Sequence, residues 1–106
     1  MNNNIFSNIQ DNIAKEVVDN ILTSDNIKIE RIVSKGQASP DGFWYDQDKN
    51  EWVILLQGSA GLQFYGEKDV VVLKSGSYIN IKAHKKHRVK WTAKDKKTIW
   101  LTIFYS

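Results

Sequence analysis

Cysteine is absent from this 106-residue chain, so neither a disulfide framework nor thiol chemistry can support it. Proline occurs once, at Pro40, and glycine only six times, which leaves no stretch with the composition of a linker. No apolar run reaches the roughly 18 residues a membrane-spanning helix requires, and the expectation is no membrane partner. The start Met1-Asn2-Asn3-Asn4 has neither the basic residues nor the apolar segment of a secretory leader. A cytoplasmic location is therefore expected. Histidine is scarce too: the chain has two, His84 and His87, so any imidazole chemistry must come from one short segment.

What is present is a supply of apolar and aromatic side chains. Hydrophobic residues make up 42%, with four Trp, four Tyr and four Phe, enough for one core in a chain of single-domain size. The net charge is +3, and lysines crowd late in the chain at Lys82, Lys85, Lys86, Lys90, Lys94, Lys96 and Lys97. Such a cluster can attract phosphate or nucleic acid. No nucleic-acid motif accompanies it, so the reading is that these lysines solvate turns and blunt strand edges, with no nucleic-acid partner. A lysine-lined mouth for an anionic small ligand is the alternative.

Residues Asn12 to Leu22 carry Ile13, Val17 and Ile21 at i, i+4 and i+8, with Val18 and Leu22 widening the stripe. This spacing predicts a short amphipathic helix, with Asp11 as N-cap or Ser7 and Gln10 as a capping box one turn earlier. Thr23-Ser24-Asp25-Asn26 ends it. From Ile27 the period becomes two, and a strand runs to just before Gly36. Further strands are expected at about 51–57, 61–65, 69–73, 77–82, 87–92 and 98–105, separated by breaks at Gly58-Ser59, Gly66-Glu67, Ser75-Gly76 and Lys94-Asp95. Short strands with turn signals every eight to twelve residues argue for a sandwich or barrel. The fold class is all-β: a jelly-roll β-barrel over residues 27–106, with a helical segment over 1–26 packed outside. Two strands are apolar on both faces, around Trp52–Leu56 and Trp100–Phe104, and each needs a cover. The helix supplies part of it, and a second copy of the chain, in a homodimer, is expected to supply the rest.

Two glycine-punctuated segments stand out, Gly42 to Gly58 and Gly76 to Trp91. Together they resemble the two halves of the cupin signature. One half of that signature carries two His and a Glu, with six residues between the Glu and a Gly. The other runs from a Gly through a Pro to a third His. Glu51 and Gly58 have that separation, and His87 falls at the third His. Tyr45 and Gln47 hold the first two His positions, and Lys82 stands at the Pro. More narrowly, Ile29–Ser34, Trp44–Gln47, Glu51-Trp-Val, Lys82-Ala-His84, His87-Arg-Val and Thr98-Ile-Trp are similar to small single-domain bacterial cupins, the type-2 conserved barrels with an RmlC-like jelly roll. The resemblance implies a barrel with a small-molecule pocket and carries over Glu51 and His87 as metal positions.

Three readings of Gln47, Glu51 and His87 stand side by side. They hold a divalent metal (Mn, Fe, Ni or Zn) through imidazole, carboxylate and amide oxygen. Alternatively Glu51 and His87 form a metal-free acid–base pair in an apolar pocket, or a buried pair that only holds the barrel together. If His87 points inward, strand phase sends Val89 and Trp91 inward as well and Arg88, Lys90 and Thr92 outward. Glu51, His84 and Tyr45 are the catalytic candidates, with Tyr45 or His84 as a fourth ligand or proton-transfer group; His84 is otherwise an exposed turn residue. Arg31, Trp44, Tyr45 and Trp91 are the candidates for ligand contact. An inward Arg31 would suit a carboxylate or phosphate through its fork of donors; otherwise it pairs with Glu30 or Glu51. The aromatic run Phe43-Trp44-Tyr45 is a ligand clamp, a lid on the core or a dimer contact. A metal-dependent enzyme acting on a small polar metabolite, a metal-free ligand-binding or sensing module, and a structural dimer are the functions these readings allow.

Overall fold

The pattern of alternation breaks down first where a strand meets a bulge. The computed structural model describes residues 3–106. It contains eight strands: β1 (Val17–Thr23), β2 (Ile27–Ser34), β3 (Asn50–Gln57), β4 (Ser59–Phe64), β5 (Val70–Lys74), β6 (Tyr78–Ile81), β7 (His87–Thr92) and β8 (Thr98–Tyr105). They form a five-stranded sheet in the order β1-β2-β8-β3-β6 and a three-stranded sheet in the order β5-β4-β7. Every pairing is antiparallel. From Ile27 onward each expected strand is found within about two residues of its reading.

The expected N-terminal helix is not present: among the described residues there is no helix, and Val17–Thr23 is an edge strand paired with β2. The physical reason lies in the register. Val18 pairs with Ile32 and Asn20 with Glu30, but Leu22 pairs with Ile29, so Ile21 is an extra residue in a β-bulge. A bulge shifts the in–out phase by one. The shift turns an alternating strand into a pattern that imitates a helical stripe, while β-branched Val17, Val18 and Ile21 favour the extended backbone. Residues 1–26 are thus not a helix laid on the barrel; Val17–Thr23 belongs to its larger sheet. No helix is long and apolar enough to cross a membrane among the described residues.

The core lies between the sheets and comprises Val53, Leu55, Ala60, Leu62, Phe64, Leu73, Ile81 and Trp100. Leu55 and Leu62 are fully enclosed, and burial of a side chain of this size contributes about 1.5–3 kcal/mol. Two glycines permit close approaches. Gly58 closes the tight β3–β4 connection at φ 93°, where an added Cβ would lie 2.4 Å from Thr98 Oγ1. Gly61 lets the Trp91 indole lie against β4, since a Cβ there would sit 2.3 Å from Trp91 Nε1.

Trp91 corrects a second expectation. Gly61 pairs with Trp91 while Leu62 pairs with Val89, so Lys90 is bulged out and the phase of β7 reverses. His87 and Val89 face inward as expected, but Trp91 turns outward at 37% exposure and Thr92 is buried. Arg88 does face away from the core, yet it too is buried, because the 37–44 loop covers that side. Its guanidinium donates to the Ser39 and Pro40 carbonyls. The same loop is tied to β7 by Ser39 N–H to Val89 O and by the Thr92 hydroxyl to Gln37 O.

Candidate functional site

A cavity of about 230 Å³ opens between the two sheets. Inward residues of β3, β4, β6 and β8 (Val53, Leu62, Ile81, Trp100 and Phe104) give it apolar walls, and Val89 of β7 adds to them. Its polar lining is Tyr45, Gln47, Glu51 and His87, with Glu16, Glu30 and Thr102 completing it.

Each polar residue is placed by backbone pairing. Glu51 sits on β3 opposite Phe104 and Ile81, in phase with inward Val53. His87 begins β7. Tyr45 reaches it through an isolated β-bridge, with Tyr45 N–H donating to His87 O at 2.7 Å and His87 N–H to Tyr45 O at 3.2 Å. This pairing stacks the phenol beside the imidazole, with ring centroids 5.4 Å apart. Gln47 follows two residues later and its carbonyl accepts from His84 N–H.

The His87 ring is held at both nitrogens. Nδ1 lies 2.9 Å from the Lys85 carbonyl, an acceptor only, so Nδ1 carries a proton and donates to it. Nε2 then faces the Glu51 carboxylate at 3.4 Å, with both side chains largely buried. Burial pulls the imidazole pKa down, but the Glu51 hydrogen bond, the Lys85 carbonyl and the Glu51 charge together raise it above 6.5. The Tyr45 phenol is pushed up from 10.0 by burial first and then by the Glu16 and Glu51 charges, against a lowering hydrogen bond from Ser39. It therefore stays a hydroxyl and can donate. Glu16, just before β1, is raised from 4.5 by burial, opposed by a hydrogen bond from Ser34.

Of the residues expected from sequence, Tyr45, Gln47, Glu51 and His87 meet in the cavity, and four do not. Trp91 faces outward for the reason given above. Trp44 packs edge-on against Tyr65 and under the Arg88 guanidinium, outside the cavity. His84 occupies a left-handed turn position at φ 64° and is mostly exposed. Its Nδ1 meets Asp46 Oδ1 at 2.7 Å, so it clips the turn to the Tyr45–Asp48 segment rather than entering the cavity. Arg31 points to the opposite side of the sheet. Its partner is Asp19, at 2.8 Å, not Glu30 or Glu51, and it also donates to the carbonyls of Ile5, Ser7 and Asn8.

Sequence reasoning missed Glu16, Glu30, Trp100 and Thr102. For Glu30 the signal existed, since it alternates in phase with Ile32, which also lines the cavity. Glu16 was hidden by the helical reading of its segment.

The class these features define is confirmed by comparison with solved structures. A Ralstonia eutropha JMP134 protein that carries the provisional name mannose-6-phosphate isomerase is 38% identical, with all of this chain and 98% of that one covered and a TM-score of 0.95. An RmlC-like cupin protein from Desulfovibrio desulfuricans is 18% identical over 98% of this chain and 95% of that one, at a TM-score of 0.74. The polyketide cyclase RemF from Streptomyces resistomycificus is 14% identical over 87% of this chain and 66% of that one, also at 0.74. No family model and no curated protein matches the chain. The chain belongs to the cupin family, with the RmlC-like jelly-roll barrel as its fold.

Proposed function

We propose that this cupin binds a small metabolite in its interior cavity and moves a proton on it through the Glu51–His87 pair. The observation that carries this reading is the double anchoring of His87: Nδ1–H is committed to the Lys85 carbonyl, and Nε2 faces Glu51 inside the cavity. In its neutral form Nε2 accepts a proton from a ligand carbon or hydroxyl, and the imidazolium formed is stabilised by Glu51. Returning the proton to a neighbouring atom of the same ligand completes an isomerisation with no oxidant or second substrate. Tyr45, kept protonated, donates to the ligand oxygen on which charge builds.

A resident transition metal fits this donor set poorly. Glu51 and His87 are the two strong donors; Gln47 offers an amide oxygen and Tyr45 a protonated phenol, both weak ligands. No group of three or more His, Cys, Asp or Glu converges as a metal site among the described residues. The name of the Ralstonia protein does not carry over in full either. A sugar phosphate calls for a basic anchor, and among the described residues no Lys or Arg lines the cavity.

The test is a thermal-shift screen of small metabolites with and without chelator, followed by turnover assays on the stabilising compounds. A ligand whose effect survives chelation is expected, turned over at a rate that rises with pH through the raised His87 pKa. Glu51→Gln and His87→Asn should abolish turnover while leaving the fold. Stoichiometric metal in wild-type protein that His87→Ala loses would overturn the metal-free reading, as would turnover untouched by both variants.

A second copy of the chain is the partner that the outer face of the larger sheet favours. Outward positions Ile29, Ile103 and Trp52 form one cross-strand row, and Leu101, Ile54 and Tyr78 the next. None of these six is charged, and Arg31, which continues the second row beside Leu101, is paired with Asp19 and tied to the carbonyls of Ile5, Ser7 and Asn8, so this part of the face can meet itself without opposing like charges. Sedimentation equilibrium should give a dimer that Ile54→Lys converts to monomer; a monomeric wild type at near-physiological concentration would refute it.

A further inference from the structure

Arg88 is only 8% exposed, yet it lies on the side of β7 that faces away from the core. A guanidinium is seldom buried unless it is paired, so what it pairs with matters. Its two neighbours on the strand both bond to the segment before β3. Val89 is tied to Ser39, with Ser39 N–H donating to Val89 O at 2.9 Å and Val89 N–H to Ser39 Oγ at 3.0 Å. His87 is tied to Tyr45 by the two bonds of their bridge. Residues 40–44 therefore span what Arg88 alone spans on β7, and they must loop out.

Arg88 fills that loop. Its Nη2 donates to the Ser39 and Pro40 carbonyls at 3.0 and 3.4 Å, and its guanidinium carbon lies 5.8 Å from the centre of the Trp44 ring. Asp41, at 3.7 Å, is fully exposed and adds little. The rest of the loop is lightly held: Gly42 turns it at φ 79°, and Phe43 N–H closes the turn on the Pro40 carbonyl at 3.0 Å.

The same loop reaches the cavity on its other side. Phe43 stands edge-on to the Tyr45 ring, with centroids 4.8 Å apart, and Ser39 hydrogen-bonds the Tyr45 phenol. Tyr45 in turn stacks on His87. The bridge that carries Tyr45 is isolated, so no neighbouring rungs of a ladder reinforce it. Whether the phenol stays over the imidazole thus depends on how firmly the loop is held.

We propose that Arg88 is a positioning residue for the site: by filling the 40–44 loop it keeps the Tyr45 ring over His87. Arg88 does not line the cavity and acts only through Ser39, Pro40 and Trp44. This rests on the reading of Tyr45 and His87 as working groups and adds the residue that sets their spacing. Arginine suits the task because its planar fork reaches two carbonyls while its face lies on an indole; lysine offers a point charge with no such plane.

The test uses the whole chain without ligand. Nuclear Overhauser contacts between the Tyr45 and His87 rings, and amide exchange along the chain, are compared in wild type, Arg88→Met and Arg88→Lys. In Arg88→Met the ring-to-ring contacts should vanish. Exchange of the Tyr45 and His87 N–H groups should quicken about tenfold or more relative to the amides of β8. Arg88→Lys should fall between the two, and it carries the test if the methionine variant does not fold. Unchanged ring contacts and local exchange in Arg88→Met, or in Arg88→Lys if that alone folds, would overturn the proposal. So would a quickening shared equally by all amides with the rings still in contact, the result for a residue that only stabilises the barrel. Failure of the functional reading shows differently, as a metabolite screen without any ligand while the ring contacts of wild type and their dependence on Arg88 persist.

Discussion

Replacing Arg31 with methionine is expected to destabilise the chain by about 2–3 kcal/mol and to detach its N-terminal segment from the sheet. Arg31 is 7% exposed and donates through all three nitrogens: Nε and Nη2 to Asp19, Nη1 to the carbonyls of Ile5 and Ser7, and Nη2 also to Asn8. Methionine keeps the apolar stem but offers no donor. Asp19 is 41% exposed, so the ion pair itself is screened and contributes little. The larger loss comes from the three backbone carbonyls, whose charge-assisted bonds tie residues 5–8 across the outside of β1 and β2. Urea denaturation measures the first effect and amide exchange of Phe6 to Ile9 the second. A variant within about 0.5 kcal/mol of wild type, with unchanged exchange, would contradict this account.

The second large effect depends on pH. Glu51→Gln should cost about 2–3 kcal/mol at about pH 6 and much less at about pH 9. The His87 pKa is raised in the folded chain above its unfolded 6.5. The pair's stabilisation is therefore fully present below the unfolded pKa and is lost as pH rises through the folded one. In the variant the raising influence of Glu51 is gone, while burial and its lowering effect remain. His87 then resists protonation, and stability no longer falls over that window. Glu16, also raised, weakens both proteins as pH rises and largely cancels in the difference. Denaturant midpoints across that range provide the measurement, and a pH-independent difference would refute the assignment.

How far the sequence disclosed all this depends on whether each signal was local. The strands from Ile27 onward were legible because their alternation is regular and glycines at Gly58, Gly66 and Gly76 take the positive φ their turns require. Both failures of phase, at Ile21 and at Lys90, are bulges, and a bulge is set by the partner strand rather than by the residues that bulge. One hid β1 behind a helical pattern and the other sent Trp91 to the outside. In the site, Tyr45, Gln47, Glu51 and His87 could be found because the signature fixes their spacing on paired strands. The pairings of Arg31 with Asp19 and of His84 with Asp46 were not legible, since they join residues 12 and 38 apart. That Trp100 Nε1 and Thr102 Oγ1 have no hydrogen-bond partner in the protein could not be read at all without knowing which atoms surround them.

With only two imidazoles in the chain, nitrogen-detected NMR of His84 and His87 across pH tests the central claim most directly. His87 should appear as the Nδ1–H tautomer when neutral, titrate above 6.5 in wild type, and fall below 6.5 in Glu51→Gln. An imidazole at position 87 whose titration is the same in both proteins would contradict the acid–base pair on which the proposed chemistry rests.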